Sequence, residues 1–190
     1  MERDRRGTLS AAGAAARGLG LGLALLLATA PARTAAATGE YEVKAAFLLN
    51  FARLIEWPDA SFAGPDAPLC IALWGADPFA GSLDALVKSE NVAGRPIRTR
   101  RVASPAEARG CQLLFVPASQ TATFRSVQGE LAATPVVVVG EQAGFASDGG
   151  AIGFYEEEGR IRFEVNRRIA EGSGAKLSSR LLRLARIVEE

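Results

Sequence analysis

Residues 135–140, with the sequence Pro-Val-Val-Val-Val-Gly, decide the fold class of this chain. Four consecutive valines show no alternation of apolar and polar positions, which is typical of a strand buried on both faces in a parallel sheet. Residues 69–74 (Leu-Cys-Ile-Ala-Leu-Trp) and 112–116 (Gln-Leu-Leu-Phe-Val) predict two more buried strands. Helical patterns follow these strands at residues 79–88 and 119–131. This alternation predicts an α/β fold, a three-layer α/β/α architecture with a mostly parallel central sheet.

The segments upstream of this core extend the pattern. Residues 40–56 predict a helix with Phe47 and Phe51 on its apolar face, and the helix ends before Pro58 because the residue before proline avoids helical geometry. Asp77 is placed to cap the helix at residues 79–88. The alternating arginines of residues 97–102 favour a short strand at the edge of the sheet.

The C-terminal part follows a different pattern. Residues 151–155 and 160–165 predict two strands joined by a glycine-containing turn, which is an antiparallel hairpin. Ser178 can cap a last helix. Its inward positions would be Leu181, Leu184 and Val188.

The N-terminal 37 residues are typical of an export signal. Four arginines and two acidic residues open the chain, residues 19–30 are apolar, and Ala35-Ala36-Ala37 offers a small-residue cleavage site. The apolar stretch is about 12 residues, short of the ~20 that span a bilayer. We therefore predict a cleaved signal peptide at 1–37, a single mature domain at 38–190 and a periplasmic location. An uncleaved membrane anchor is the alternative.

Composition excludes several classes of protein. The chain has 22 Lys and Arg, 21 Asp and Glu, and no histidine. A formal net charge of +1 gives no support for nucleic-acid binding. Without histidine there is no Ser-His-Asp triad and no histidine-ligated zinc or haem. We predict a protein that is not an enzyme and holds no metal and no cofactor.

The two cysteines of the chain permit one intramolecular pairing. In an exported protein an even cysteine count favours a disulfide, here between Cys70 and Cys111. Both residues lie at the start of predicted buried strands, so parallel neighbours would bring them together. Two free buried thiols are the alternative.

Ligand and partner contacts are expected in two kinds of loop. In an open parallel sheet ligands lie beyond the carboxyl ends of the strands, here at residues 75–79, 117–119 and 140–141. Aromatic residues in loops often anchor an interface, although each of them also suits a core. The binding candidates are Trp57, Pro58, Phe62, Asp77, Phe79 and Phe145.

Residues 44–58, KAAFLLNFARLIEWP, resemble KAAFLYNFAKFVEWP, the N-terminal signature of the YfiR-like family. The resemblance continues in the same order over nearly the whole predicted mature chain. The further matching segments are GADPF at 75–79, CQLLFV at 111–116, FASDGGAI at 145–152, RFEVN at 162–166 and KLSSRLLRLA at 176–185.

The resemblance implies an α/β periplasmic regulator. Such a protein represses an inner-membrane diguanylate cyclase by binding its periplasmic sensing domain, and thereby controls cyclic di-GMP and biofilm formation. An outer-membrane lipoprotein that sequesters the regulator and a homodimer are implied further partners. The pair Cys70 and Cys111 matches a family disulfide, whereas the family's second cysteine pair is missing near residues 145–152, and Gln112 replaces a frequent histidine. The alternative function is a small-molecule-binding module that uses a pocket at the strand carboxyl ends.

Overall fold

Within the described residues, an eight-stranded sheet forms the centre of the molecule. The structure is a computed structural model that describes residues 32–131 and 134–188. Residues 1–31 of the predicted signal peptide lie outside the described residues, and positions 32–37 begin the first helix. The strands are β1 Ile55–Glu56, β2 Leu69–Trp74, β3 Asn91–Val92, β4 Arg95–Val102, β5 Leu113–Val116, β6 Val137–Gly140, β7 Ile152–Glu157, β8 Arg160–Asn166, β9 Lys176–Leu177 and β10 Arg186–Val188. The α-helices are α1 Ala32–Leu54, α2 Ser82–Val87, α3 Thr121–Leu131, α4 Arg167–Gly172 and α5 Ser179–Leu184.

The strand order of the main sheet is β10-β8-β7-β6-β5-β2-β4-β3, and β1 and β9 form a separate two-stranded sheet. All neighbours in the main sheet are parallel except β7 with β8 and β3 with β4. The valine-rich β6 is completely flanked, by β5 on one side and β7 on the other, and its residues are buried. The predicted mostly parallel central sheet is therefore confirmed.

Helices cover both faces of this sheet. One apolar core lies beneath α1 and α2, where Phe51 stacks against Phe154 of β7 and packs edge-on against Phe163 of β8. A second core lies beneath α3, where Phe124 packs against Phe145 with ring centroids 4.7 Å apart. Successive side chains of a strand point to opposite faces of the sheet. Residues 113–116 therefore contribute side chains to both cores in turn.

Strands β7 and β8 pair antiparallel through a two-residue turn at Glu158 and Gly159. Both turn residues have positive φ, 52° and 71°, as a turn matching the strand twist requires. Glu156 and Glu157 belong to β7, where they pair with Ile161 and Arg160.

The predicted last helix is wrong in its second half. Ser178 does cap α5, because its Oγ accepts a hydrogen bond from the Leu181 amide at 3.2 Å. The helix ends at Leu184, which is 63% exposed, and the chain continues as β10 parallel to β8. Backbone pairing at the open side of β8 and an ion pair between Arg186 and buried Glu164 favour the strand at this point.

The predicted helix at residues 79–88 begins later than expected. Ala80 and Gly81 have φ of 49° and 84°, which a right-handed helix cannot contain, so α2 starts at Ser82. Asp77 caps the preceding turn instead of α2, accepting hydrogen bonds from the amides of Phe79 and Gly81 at 2.8 and 3.0 Å. The first helix ends at Leu54, before the expected residue 56, because Ile55 and Glu56 pair with β9.

Candidate functional site

The direction of the sheet places a crevice between the carboxyl ends of β2 and β5. From β2 the chain passes through α2 to β4, whereas from β5 it passes through α3 to β6 on the opposite face. The two connections therefore diverge at a topological switch point, the place where ligands bind in open α/β sheets. Gly75, with φ of 83°, lets the chain turn there, and a Cβ at this position would lie 3.2 Å from Nε2 of Gln120.

Beside this crevice lies a group of polar side chains that we call the strand-end cluster, formed by Tyr41, Lys44 and Glu141. Glu141 follows β6, and its carboxylate accepts hydrogen bonds from the Tyr41 hydroxyl at 3.1 Å and the Ala118 amide at 2.7 Å. Lys44 Nζ lies 2.7 Å from Glu141 Oε2 and 2.5 Å from Glu40 Oε1. The side chains of Lys44 and Glu141 are each 5% exposed. The cluster thus ties α1 to the carboxyl end of the sheet through a buried ion pair.

The electrostatics of the cluster keep Tyr41 protonated. Burial, followed by the charge of Glu141 and its hydrogen bond, raises the pKa of the Tyr41 phenol well above its ordinary value. The phenol therefore remains a hydrogen-bond donor to Glu141. Lys44 Nζ also lies 4.7 Å from the centre of the Tyr41 ring, close enough for a cation–π contact.

Two sequence-predicted candidates, Asp77 and Phe79, lie at the same end of the sheet. The Asp77 carboxylate holds the turn after β2 and receives Arg101 Nη2 at 3.3 Å. Phe79 is buried and packs edge-on against Tyr41 and Phe115, with ring centroids 5.5 and 5.0 Å away. Both residues therefore support the strand-end cluster from the side of β2.

The chemistry available at this end is charge pairing. The carboxylate of Glu141 and the ammonium of Lys44 are occupied by each other and by neighbouring donors and acceptors. Such an arrangement braces a helix against a sheet, because each charged group has its partners within the fold. Among the described residues there is no group of three or more potential metal ligands.

At the amino ends of the strands, Cys70 and Cys111 form a disulfide that links β2 to the residue before β5, with Cα atoms 4.4 Å apart. The predicted pairing and the predicted neighbouring strands are both confirmed. Gln112 is completely buried beside the bridge. Its Oε1 accepts from the Cys70 amide at 2.8 Å and its Nε2 donates to the Ser61 carbonyl at 2.7 Å. Gln112 therefore fastens the loop before β2 to the disulfide.

Trp57, Pro58 and Phe62 also lie at the amino ends, in the loop that leads from β1 to β2. All three side chains are half-buried. The Arg95 guanidinium lies 3.9 Å from the centre of the Phe62 ring. The buried Trp57 Nε1 has no hydrogen-bond partner among the described residues. Trp57 and Phe62 pack against the core from this loop, which therefore exposes only part of each ring, at the end of the molecule opposite Phe79.

Phe145 lies in neither group. It packs beneath the loop after β6, and a Cβ at Gly140 or Gly150 would lie only 2.3 or 2.1 Å from its ring. These close approaches explain why both positions are glycine. The six sequence-predicted candidates therefore do not converge on one site: two lie at the carboxyl ends, three at the amino ends and one in the core under α3.

A cavity of about 360 Å³ opens at the amino end of β6, between α3 and α4. Its apolar walls include Phe124, Val136, Val138 and Ile169. Gln128 also lines it, and the buried Oε1 of this residue has no hydrogen-bond partner in the described part of the chain. The cavity thus lies at the edge opposite to the one where the sequence predicts a ligand pocket.

The sequence does not reveal the roles of Lys44 and Glu141 at the carboxyl ends of the strands, or of Gln112 at the amino ends. A lysine in a helix is ordinarily exposed, yet Lys44 is only 4% exposed. Glu141 was noted only as part of a strand-end loop, and Gln112 only as a departure from a family pattern. A lysine next to the apolar positions 45, 48 and 52 was the available signal, since a charge on a buried helix face needs a buried partner.

These features define the class of protein: an α/β domain with a mostly parallel sheet, braced by one disulfide and by one helix across its strand ends. The chain belongs to the YfiR/HmsC-like family, whose model matches residues 41–186. No curated protein matches the sequence significantly. In the described part of the chain, no helix combines the length and apolarity needed to cross a membrane.

Solved structures with a similar fold include two proteins of low sequence identity. One is a conserved domain protein from Vibrio cholerae O1 biovar eltor str. N16961, with a TM-score of 0.47, 14% identity and coverage of 78% of this chain. Another is the ABC domain from Streptococcus pneumonia in complex with L-Trp, with a TM-score of 0.48, 13% identity and coverage of 80%. The match spans 60% of the length of each of those two chains.

Proposed function

We propose that this protein is a non-enzymatic periplasmic regulator that binds the periplasmic sensing domain of a membrane diguanylate cyclase and represses it. The observation that carries the proposal is membership of the YfiR/HmsC-like family over residues 41–186. Repression would lower cyclic di-GMP and biofilm formation. An outer-membrane lipoprotein that sequesters the regulator and a homodimer belong to the same proposal.

The chemistry of the strand-end region supports binding rather than catalysis. Glu141 and Lys44, a charged pair at the carboxyl ends of the strands, neutralise each other in a buried setting. General acid–base catalysis needs a group that can exchange a proton with a substrate. The half-buried aromatic loop with Trp57, Pro58 and Phe62 offers the kind of surface that anchors a protein interface. We propose this loop as a contact region for the partner.

Recovery of the partner from membranes tests the function. The mature protein, immobilised and incubated with detergent-solubilised inner membranes of its own host, should retain a diguanylate cyclase that mass spectrometry identifies. Deletion of the gene should raise cellular cyclic di-GMP, and the plasmid-borne wild type should restore it. Retention of no cyclase, together with unchanged cyclic di-GMP in the deletion strain, contradicts the proposal.

The periplasmic location has its own test. The predicted cleavage after Ala37 makes Thr38 the first residue of the mature protein. N-terminal sequencing of the protein recovered from an osmotic-shock fraction should begin at this residue. A chain that retains residues 1–37 in the membrane fraction supports an anchored protein instead.

A small-molecule-binding module is the second candidate, and the cavity between α3 and α4 favours it. Its volume of about 360 Å³ and its apolar walls fall within the range of ligand pockets. A metabolite library screened by thermal shift should yield compounds that raise the unfolding temperature of the wild type. Ile169→Trp, which fills the cavity, should abolish the shift, whereas Leu184→Trp on exposed α5 should not. A library without any stabilising compound contradicts this candidate.

A further inference from the structure

One edge of the main sheet offers backbone hydrogen bonds that the described part of the chain does not use. The edge is formed by β4, which pairs with β2 along residues 97–102. On its outer side β4 is paired only at its start, where Arg95 and Pro96 lie beside β3 and the Ile97 amide donates to the Glu90 carbonyl. The outer side of residues 98–102 therefore has no strand partner among the described residues.

The register shows which groups point outward. The Val102 carbonyl accepts the Gly75 amide on the β2 side, whereas the Ile97 amide donates to Glu90 on the outer side. In a strand the N–H and C=O groups of one residue point to the same side, and successive residues point to opposite sides. Thr99 and Arg101, two and four residues after Ile97, therefore direct both their N–H and C=O groups outward. An extended chain laid along this edge can therefore pair with two amides and two carbonyls.

The sequence of β4 is strongly basic, although the carboxylates of Asp77 and Asp84 contact the side chains of Arg101 and Thr99 on one face of the strand. β4 carries Arg95, Arg98, Arg100 and Arg101 and no acidic residue. Arg98 makes no ion pair or side-chain hydrogen bond with the described residues, and Arg100 donates only to the backbone carbonyls of residues 107 and 109. Both side chains are exposed on the α3 face of the sheet. Their charges are available to a neighbouring strand.

The positive charge of β4 determines which kind of strand can pair with this edge. Two copies of β4 placed edge to edge would bring their arginines together, which is unfavourable for directly opposed like charges. An acidic segment would instead place carboxylates beside Arg98 and Arg100, where Arg and carboxylate form short, charge-assisted hydrogen bonds. Exposed charge on an edge strand also prevents indiscriminate pairing, so the edge admits only a complementary chain.

We infer that the outer edge of β4 docks an extended acidic segment of the partner protein, which adds a strand to the sheet by pairing with Thr99 and Arg101. Its acidic side chains pair with Arg98 and Arg100. The identity of the partner rests on the proposed function, while the edge and its preference for acidic strands do not. Strand addition of this kind takes affinity from main-chain hydrogen bonds and specificity from side chains.

A peptide probe tests the edge without any cyclase. An eight-residue peptide of alternating Glu and Val, blocked at both ends, should slow amide hydrogen exchange at Thr99 and Arg101 by roughly tenfold at saturation. The amides of residues 137–140 in β6 should not change. A matched peptide of alternating Lys and Val should have no effect. Unchanged exchange at Thr99 and Arg101 with the acidic peptide overturns the inference.

Variants of β4 test the same edge with the partner. Thr99→Pro removes an outward amide, whereas Thr99→Ala keeps it and loses the same side-chain bond to Asp84. Proline should weaken binding of the cyclase's periplasmic domain by roughly tenfold and alanine should not. Circular dichroism and the unfolding temperature establish that the proline variant is folded.

A charge reversal gives an independent readout that leaves the backbone intact. Arg98→Glu combined with Arg100→Glu should weaken binding by roughly tenfold or more and reduce its dependence on salt, while Arg183→Glu on exposed α5 should not. If the domain binds and none of the β4 variants changes the affinity, the edge is overturned and the proposed function stands. If the wild type does not bind the domain but the acidic peptide protects Thr99, the proposed function fails and the edge stands.

Discussion

At the carboxyl ends of the parallel strands, α1 is held to the sheet by the buried pair of Lys44 and Glu141, whereas at the amino ends β2 is held to β5 by the bond between Cys70 and Cys111. A neutral side chain, Gln112, completes the amino end, and a neutral phenol, Tyr41, completes the carboxyl end. Both ends thus combine one strong linkage with one buried hydrogen-bonding group.

The two strong linkages respond to different conditions. A covalent bridge depends on the redox state of the surroundings and not on pH within the stable range of the protein. A buried ion pair depends on the protonation of both partners and on the presence of each. The difference predicts that the amino end is sensitive to reduction and that the carboxyl end is sensitive to charge-removing substitutions.

Removal of the disulfide should have the largest effect. The bridge spans a sequence separation of 41 residues. A loop of this length lowers the conformational entropy of the unfolded chain and so stabilises the folded protein by about 4 kcal/mol. Cys70→Ala with Cys111→Ala should lower the free energy of unfolding by that amount in urea titrations. Dithiothreitol should destabilise the wild type and leave the double variant unchanged. A loss below about 1 kcal/mol would show that the unfolded chain is not constrained by the bridge.

Removal of Glu141 should have the next largest effect. Glu141→Ala leaves the Lys44 ammonium buried with only Glu40 as a partner, and breaking a buried pair in this way costs about 3 kcal/mol. Adding Lys44→Met should recover the part of the loss that comes from the buried ammonium, whereas the Tyr41 hydroxyl and the Ala118 amide still lack their acceptor. A double variant no more stable than Glu141→Ala would mean that the charge of Lys44 is not the cause.

Gln112→Leu should cost about 2 kcal/mol at the amino end. The leucine fills the volume but leaves the Cys70 amide and the Ser61 carbonyl without their buried partners. Gln142→Leu, at an exposed position, is the matched control and should be close to neutral. The urea titration should be repeated under reducing conditions. If Gln112→Leu then causes no loss of stability, Gln112 stabilises the protein only when the disulfide is formed.

The smallest effect is a pH dependence at the carboxyl end. The pKa of Tyr41 is raised in the folded protein from an ordinary value of 10.0, so above pH 10 the unfolded chain loses this proton while the folded protein keeps it. Stability should therefore fall as pH rises above 10, by less than the roughly 1.4 kcal/mol per pH unit of a whole proton, because the phenol is only partly buried and solvent screens its charge. Tyr41→Phe should reduce this slope in urea titrations between pH 9 and 11. Parallel curves for wild type and variant would contradict the assignment.

The strands that matter most for the fold were readable from the sequence. The valine run and the residues at 69–74 were found because uninterrupted apolar runs of that length suit buried parallel strands. The disulfide prediction rests on the even cysteine count and on the strands at 69–74 and 112–116, because parallel neighbours align their amino ends. These conclusions needed only local composition and the geometry of a parallel sheet.

The strand-end cluster is harder to predict from the sequence, because the residues in contact there are distant in sequence. Lys44 and Glu141 are 97 residues apart, and no local pattern reports which carboxylate meets a helical lysine. The three-residue β10 is too short to produce a periodic signal, so the pattern predicts a continuation of the last helix there. Positive φ at Ala80 shortened α2 although alanine is a good helix former, which shows tertiary context overriding propensity.

The final strand β10 has a consequence for how the chain completes its structure. Arg186 supplies the cation for Glu164, whose side chain is 2% exposed, and it also stacks on the ring of Tyr155 at 3.8 Å. Until the last few residues have been synthesised, that carboxylate lacks its counter-ion and one side of β8 lacks its neighbour. The edge of the sheet at β8 and the charge of Glu164 therefore both depend on β10. Cleavage before residue 186 would remove β10 and leave the buried Glu164 carboxylate without this ion-pair partner.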